Sequence, residues 1–244
     1  MWMICKKEWQ QFFSSVTGYI VLGIFLLITG LLLFVFPDTS LLNFGYANLN
    51  GFFNLMPWLL LFLVPAITMR SISEEMRSGT FEVLQTLPLS SFQIIAGKYF
   101  GVLLIILVAM LPTTIYAFSM QALSVTGGID KGATAGSYLS LFLLSGVYAA
   151  IGIYASSLAK NMIAAFAIGA FISFALFAGF DALSQLPLFT GGADYYIQVF
   201  GIKTHTASMS RGIIDSRDLV YFISLTGFFL YLTQTQVNKQ HIQQ

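Results

Sequence analysis

Residues Met69–Phe100 read MRSISEEMRSGTFEVLQTLPLSSFQIIAGKYF, and how this stretch folds decides how the rest of the chain is read. It carries Arg70, Glu74, Glu75, Arg77, Glu82 and Lys98 between two long apolar runs. Ile72, Met76, Val83, Leu84 and Leu87 keep a helical spacing with the charges between them. Gly79 breaks that pattern. Thr80 predicts the N-cap of a second short helix, with Glu82 in its first turn complementing the dipole, and Pro88 stops that helix at Leu87. Ser90 then opens a third helix as a capping box with Gln93, Leu89 being placed to staple onto Ile94. The bland alternative is a solvated connection whose charges serve solubility. A passive connection needs none of these caps and stops, so the stretch reads as helix, break, short helix, turn, helix, held at a membrane face where another protein could push on it.

The membrane follows from composition. At 57% hydrophobic and 9% charged over 244 residues, the chain lacks the roughly one quarter of charged positions that a soluble surface requires. A net charge of +1 leaves no electrostatic case for nucleic acid. The single cysteine, Cys5, excludes an internal disulfide or a multi-cysteine metal site, and His205 and His241 are too scattered to imply a metal. With about 20 apolar residues needed per crossing, six spans are predicted: Gly18–Phe36, Phe52–Met69, Gly101–Ala122, Ser137–Leu158, Ile163–Phe180 and Leu219–Gln234. The expected fold is an all-α integral membrane protein, one transmembrane domain over residues 1–244.

Three segments lie outside the spans. Residues 1–16 lack the apolar core and cleavage pattern of a signal peptide. Trp2, Cys5, Trp9, Phe12, Phe13 and Val16 instead mark one face of a helix, which predicts an amphipathic helix lying at the headgroups with Trp and Lys as anchors. Residues 70–98 are the charged stretch already described. Residues 181–218, broken by Pro187 and Gly191-Gly192, read as short helices or a re-entrant hairpin capping the far side. With the N-terminus inside, one side holds Lys6, Lys7, Arg70, Arg77, Lys98, Lys160 and Lys239, and the other Lys131, Lys203, Arg211 and Arg217. The excess places both termini in the cytosol.

Chemistry is lacking in the sequence. No G-x-x-x-x-G-K-[ST] loop, H-E-x-x-H or G-x-S-x-G occurs, and none of the six predicted spans contains Asp, Glu, Lys, Arg or His, which disfavours an ion-driven carrier, a backbone-built sodium site aside. Small-residue stripes mark span four (Ser145, Gly146, Ala149, Gly152, Ser156) and span five (Ala164, Ala167, Ala170, Ser173), whose default meaning is close helix packing. Thr113, Thr114, Tyr116 and Gln121 in span three are candidates to line a substrate path.

Pro65 before Met69-Arg70, Ser73-Glu74-Glu75, Gly79-Thr80-x-Glu82, Leu87-Pro88-Leu89-Ser90 and Lys98-Tyr99 together resemble the cytosolic signature of ABC export permeases of the second type. Within that group the chain is most similar to gliding-motility permease subunits, including the way MSRGIIDSRDLVYF (Met209–Phe222) enters the last span. By pattern it is also close to the permease of the nitrous oxide reductase copper-site maturation system. The resemblance implies a type-2 exporter permease fold in which 70–98 docks on a separate ABC ATPase through Arg70, Glu74, Glu75, Gly79, Thr80, Phe81, Glu82, Leu87 and Pro88. An exposed Phe81 is the expected anchor and Glu82 the charge contact. It also implies a second permease copy or related membrane subunit, a bacterial inner-membrane location, and no cofactor. The alternative from another class is a membrane assembly or anchoring subunit of a motility or secretion apparatus that transports nothing itself.

Overall fold

The computed structural model describes residues 1–36, 49–85, 88–124, 128–187 and 192–242. Its central element is a helix of 28 residues, Lys131–Leu158, called α8 in chain order. The small residues of the span-four stripe, Ser145, Gly146, Ala149, Gly152 and Ser156, are all buried, so three other long helices close on it: α3 (Asn50–Thr68), α9 (Met162–Phe174) and α13 (Ser216–Ile242). The approach is tight where a side chain is missing. A Cβ at Gly152 would lie 2.0 Å from Thr68 Oγ1, and one at Gly169 would touch Ala155 and Pro65. On α9 the buried face is Ala165, Gly169 and Ser173, while Ala164 and Ala167 are exposed. The expected stripe is out of register at its start, because in a run where every residue is apolar hydrophobicity cannot choose a face.

Around this centre stand α2 (Val16–Phe34) and α6 (Ser91–Met110). The latter passes through a 3₁₀ turn at Leu111–Thr113, where Pro112 removes a donor, into α7 (Thr114–Leu123). Five segments are long and apolar enough to cross a membrane: Val16–Phe34, Asn50–Arg77, Ser91–Leu123, Lys131–Leu158 and Met162–Ser184. They correspond to the first five expected spans. Helix α13 has 27 residues, about 40 Å at 1.5 Å per residue, but it ends in the polar run TQTQVNKQHI and does not reach the apolarity of the other five.

The remaining elements gather at the two ends. At one end lie α1 (Trp2–Ser14), α4 (Ser73–Arg77) and α5 (Thr80–Gln85). At the other, α9 runs through a π-turn at Ala175–Gly179 into α10 (Phe180–Ser184), followed by α11 (Ala193–Phe200) and α12 (Ile202–Met209). This end is fastened to α13 by Asp218, which meets His205 Nδ1 at 2.6 Å and accepts a hydrogen bond from the Ser208 hydroxyl. The His205 ring stacks on Tyr221 at 4.0 Å, and Tyr221 donates to the Phe200 carbonyl at 2.7 Å. Gly212, at φ 80°, closes the turn after α12 against Gly132 and Ala133 of α8. Among its described residues the 181–218 segment is built mainly of short helices.

Candidate functional site

The charged stretch forms α4, a break, α5 and the start of α6, and the predicted stop of the second helix at Leu87 lies outside the described residues. Ser90 is the N-cap of α6, accepting from Gln93 N while the Gln93 side chain accepts from Ser90 N, the reciprocal capping box. Gly79 adopts φ 70° in the break between α4 and α5, a conformation that a residue with a Cβ seldom adopts. Thr80 departs from expectation. It is the first residue of α5 rather than its cap, and its hydroxyl donates back to the Glu75 carbonyl and meets Ser78 Oγ. The turn between α3 and α4 is held from α8: Ser156 Oγ accepts from Ile72 N at 3.0 Å and Ser73 N at 2.9 Å and donates to Met69 O at 3.1 Å. Those amides are among the unpaired donors of a helix start, so a residue that looked like simple packing is a side-chain cap supplied from a distant helix.

Beneath this turn lies a cluster of four charges. Lys98 is fully buried. Its ammonium donates to Glu8 Oε1 and to the Ser71 carbonyl, each at 2.7 Å, and makes an ionic contact of 2.7 Å with Glu75 Oε2. Two of the ammonium's three protons are thus placed in hydrogen bonds, and the contact with Glu75 Oε2 is ionic alone. Glu75 Oε1 takes a second cation, Lys7, at 2.6 Å. The formal charges of Lys7, Lys98, Glu8 and Glu75 cancel. Desolvating each ion costs several kcal/mol, which only close and complete pairing offsets. The cluster therefore fixes α1, α4 and α6 to one another in a single arrangement. Helix α1 reaches it because Gly97 and Gly101, one turn apart on α6, leave a groove: a Cβ at Gly97 would lie 2.9 Å from Ile4 Cβ, and one at Gly101 2.8 Å from Glu8 Cβ.

Several residues change role as a result. Lys98 lies on the same continuous helix as span three, since α6 begins at Ser91 rather than Gly101, so that helix does carry an ionisable group at its α1 end. Glu75 is buried in the cluster and presents nothing to a partner. Phe81 is buried in the core rather than exposed: on a helix of six residues the apolar side turns inward, and Phe81 is its largest apolar residue. Arg70 donates to Thr17 Oγ1 at 2.9 Å, and Glu74 is half-buried. Among the described residues, Arg77, Ser78, Gly79, Thr80, Pro88 and Ser90 form an exposed rim, with Phe92, 54% exposed, in the first turn of α6. The side chain of Glu82 and all of Leu87 lie outside the described residues. On α1, Ile4 and Cys5 face α6 while Trp2 is exposed, as is Val16 at the start of α2. Burial first, and the Glu8 carboxylate second, hold the Cys5 thiol above its usual range.

The span-three candidates are engaged in other ways. Thr113 is buried, with its hydroxyl donating to Met110 O at 2.6 Å, and Tyr138 donates to Thr113 O at 2.9 Å. Thr114 Oγ1 donates to Leu111 O, Tyr116 packs edge-on to Phe34 and Phe52, and Gln121 Oε1 accepts from Ile129 N, tying the approach to α8. Among the described residues no group of His, Cys, Asp and Glu is arranged to hold a metal ion.

Residues 38–202 match the family described as ABC-2 family transporter protein. The match takes in the whole of 70–98 together with Glu75 and Lys98, but stops short of α1 and α13. No curated protein matches the chain.

Proposed function

The chain belongs to the ABC-2 family of transporter proteins, and on that premise we propose that it is the membrane half of an ATP-driven exporter, coupling hydrolysis in a separate ABC ATPase to export across a bacterial inner membrane. As a member of this family it is a multi-pass membrane protein and a permease component of an ABC transporter, not itself the catalyst. The observation that carries the proposal is the exposed rim of Arg77, Ser78, Gly79, Thr80, Pro88, Ser90 and Phe92 beside the buried Lys98 cluster. A force applied by an ATPase at the rim reaches α4, and the ion cluster passes it to α6 and α1 instead of letting the loop absorb it. Two such chains, or one and a related permease, would tilt together as the ATPases close. In this reading α13 is the sixth span, and both termini, α1 and 70–98 are cytosolic. The finer assignment to the gliding-motility type is supported by the resemblance of the 70–98 and 209–222 segments.

The test is co-expression with the candidate ATPase. The complex should co-purify, and the permease purified alone should show no nucleotide binding by calorimetry, because the sequence has no phosphate-cradling loop. Nucleotide affinity in the isolated chain would overturn the division of labour.

Topology is tested by thiol labelling of intact cells. Ser78 and Ser216 are both exposed, at opposite ends of the bundle, whereas Ser184 is buried and donates to Asp181 O and would make a poor probe. With Cys5 buried the background should be low. An impermeant maleimide is expected to label Ser216→Cys and leave Ser78→Cys unreacted until the cells are opened. The reverse pattern inverts the topology.

A further inference from the structure

Where α1 turns into α2 at Ser15, the structure opens a cavity of about 340 Å³. Its lining combines polar Gln11, Thr17, Arg70 and Glu74 with apolar Val21 from α2 and Ile105 from α6. Neither Arg70 nor Glu74 forms an ion pair among the described residues, whereas Glu75 beside them is consumed in the buried cluster. A guanidinium whose protein contact is one hydroxyl, Thr17 Oγ1, retains most of its five donors for a phosphate. The Glu74 carboxylate in the same lining supplies the complementary acceptor for an ammonium.

We infer that this cavity is a binding site for the zwitterionic headgroup of a bilayer lipid, a phosphoethanolamine, with the phosphate at Arg70 and the amine at Glu74. Charge decides between lipid classes. Among the described residues the only cation of the lining is Arg70, and its carboxylates are Glu74 and Glu8, the second already neutralised by Lys98. The lining left to a ligand is therefore neutral overall, one charge of each sign, and complements a headgroup with one charge of each sign. An anionic headgroup lacks the amine and sets its phosphate beside an unneutralised Glu74. The depth fits as well: the cavity sits at the junction of an amphipathic helix with an apolar one, the level at which headgroups lie. Val21 of the lining stands on α2, and the exposed Ile20, Ile24 and Leu27 of the same helix offer apolar surface to the acyl chains. The inference goes beyond the proposed ATPase coupling and does not depend on it.

Native mass spectrometry of the full chain, delipidated in detergent and titrated separately with phosphatidylethanolamine and phosphatidylglycerol, tests it. The first should be retained about tenfold more strongly, because its amine pairs with Glu74 where the anionic lipid is repelled. Arg70→Gln should weaken both lipids about tenfold. Glu74→Gln should erase or reverse the preference by favouring phosphatidylglycerol, an outcome that general unfolding cannot imitate. Thr17→Val, which removes only the neighbouring hydroxyl, should keep the preference. If Arg70→Gln fails to accumulate, the Glu74→Gln reversal decides alone. Equal retention of both lipids by the natural chain, or a preference unchanged in Glu74→Gln, overturns the site. Displacement of the lipid by millimolar glycerophosphoethanolamine would overturn it as a lipid site and leave one for a soluble phospho-amine.

Discussion

Replacing Lys98 with methionine should lower the unfolding temperature of the detergent-solubilised chain by on the order of 10 °C, the shift expected when one partner of a buried ion pair is removed from a chain of this size. The methylene stem keeps its packing, so the loss isolates the charge. Glu8 and Glu75, with 11% and 6% side-chain exposure, would then face each other across the site of a missing cation, and the Ser71 carbonyl would lose its donor. Lys7 neutralises only Glu75. The second half of the test is a rescue. Adding Glu8→Gln to Lys98→Met leaves one intact pair, Lys7 with Glu75, and no unpaired buried charge, so most of the lost stability should return even though a second polar contact has been deleted. Simple damage to packing predicts the opposite, a double variant weaker than either single one. A Lys98→Met chain as stable as the natural one would mean that the cluster holds nothing together. Differential scanning fluorimetry on the four proteins reads the result.

How much of this is visible in the sequence depends on the range of each interaction. The capping box of Ser90 and Gln93 spans three residues, and it is legible because both partners and the backbone they cap lie in one turn. The break at Gly79 is legible for the same reason. The first five spans are legible because apolar length is a local property. Lys98 with Glu8 joins residues 90 apart, and Lys7 with Glu75 residues 68 apart. No periodicity reports such a pairing, so the four residues look like ordinary surface charges. One local signal does point there: Gly97 and Gly101 are spaced as a G-x-x-x-G in an apolar helix, the mark of a close neighbour, and that neighbour is α1. Ser156 belongs to a recognised small-residue stripe, but its role as a cap for the α3–α4 turn needs a partner 84 positions away. The face of α9 is misjudged in sequence because hydrophobicity does not vary around a helix apolar on all sides.

Phe81 shows the same limit in its sharpest form, and it sets the last prediction. A helix of six residues has too few positions for its pattern to say which side meets the protein and which meets a partner, and the aromatic that reads as an anchor is 6% exposed. Among the described residues, Phe92, on the first turn of α6 beyond Pro88, is a large apolar residue that the rim does present, at 54% exposure. The two alanine variants should therefore fail in different ways. Phe81→Ala opens a cavity and should cost about 3–5 kcal/mol of stability, seen as a lower unfolding temperature and less protein in the membrane, with ATPase binding normal for whatever folded protein remains. Phe92→Ala should leave the unfolding temperature nearly unchanged, as expected for a surface position, yet weaken capture of the co-expressed ATPase by roughly 30-fold, equivalent to about 2 kcal/mol for an aromatic anchor at an interface centre. Pull-down at matched amounts of folded permease separates the two effects. If Phe92→Ala captures the ATPase fully while Phe81→Ala at matched folding does not, then α5 must swing its aromatic out of the core to bind. The ATPase contact would then be made by a conformation in which α5 has left the core, and the rim of this structure would be its resting form.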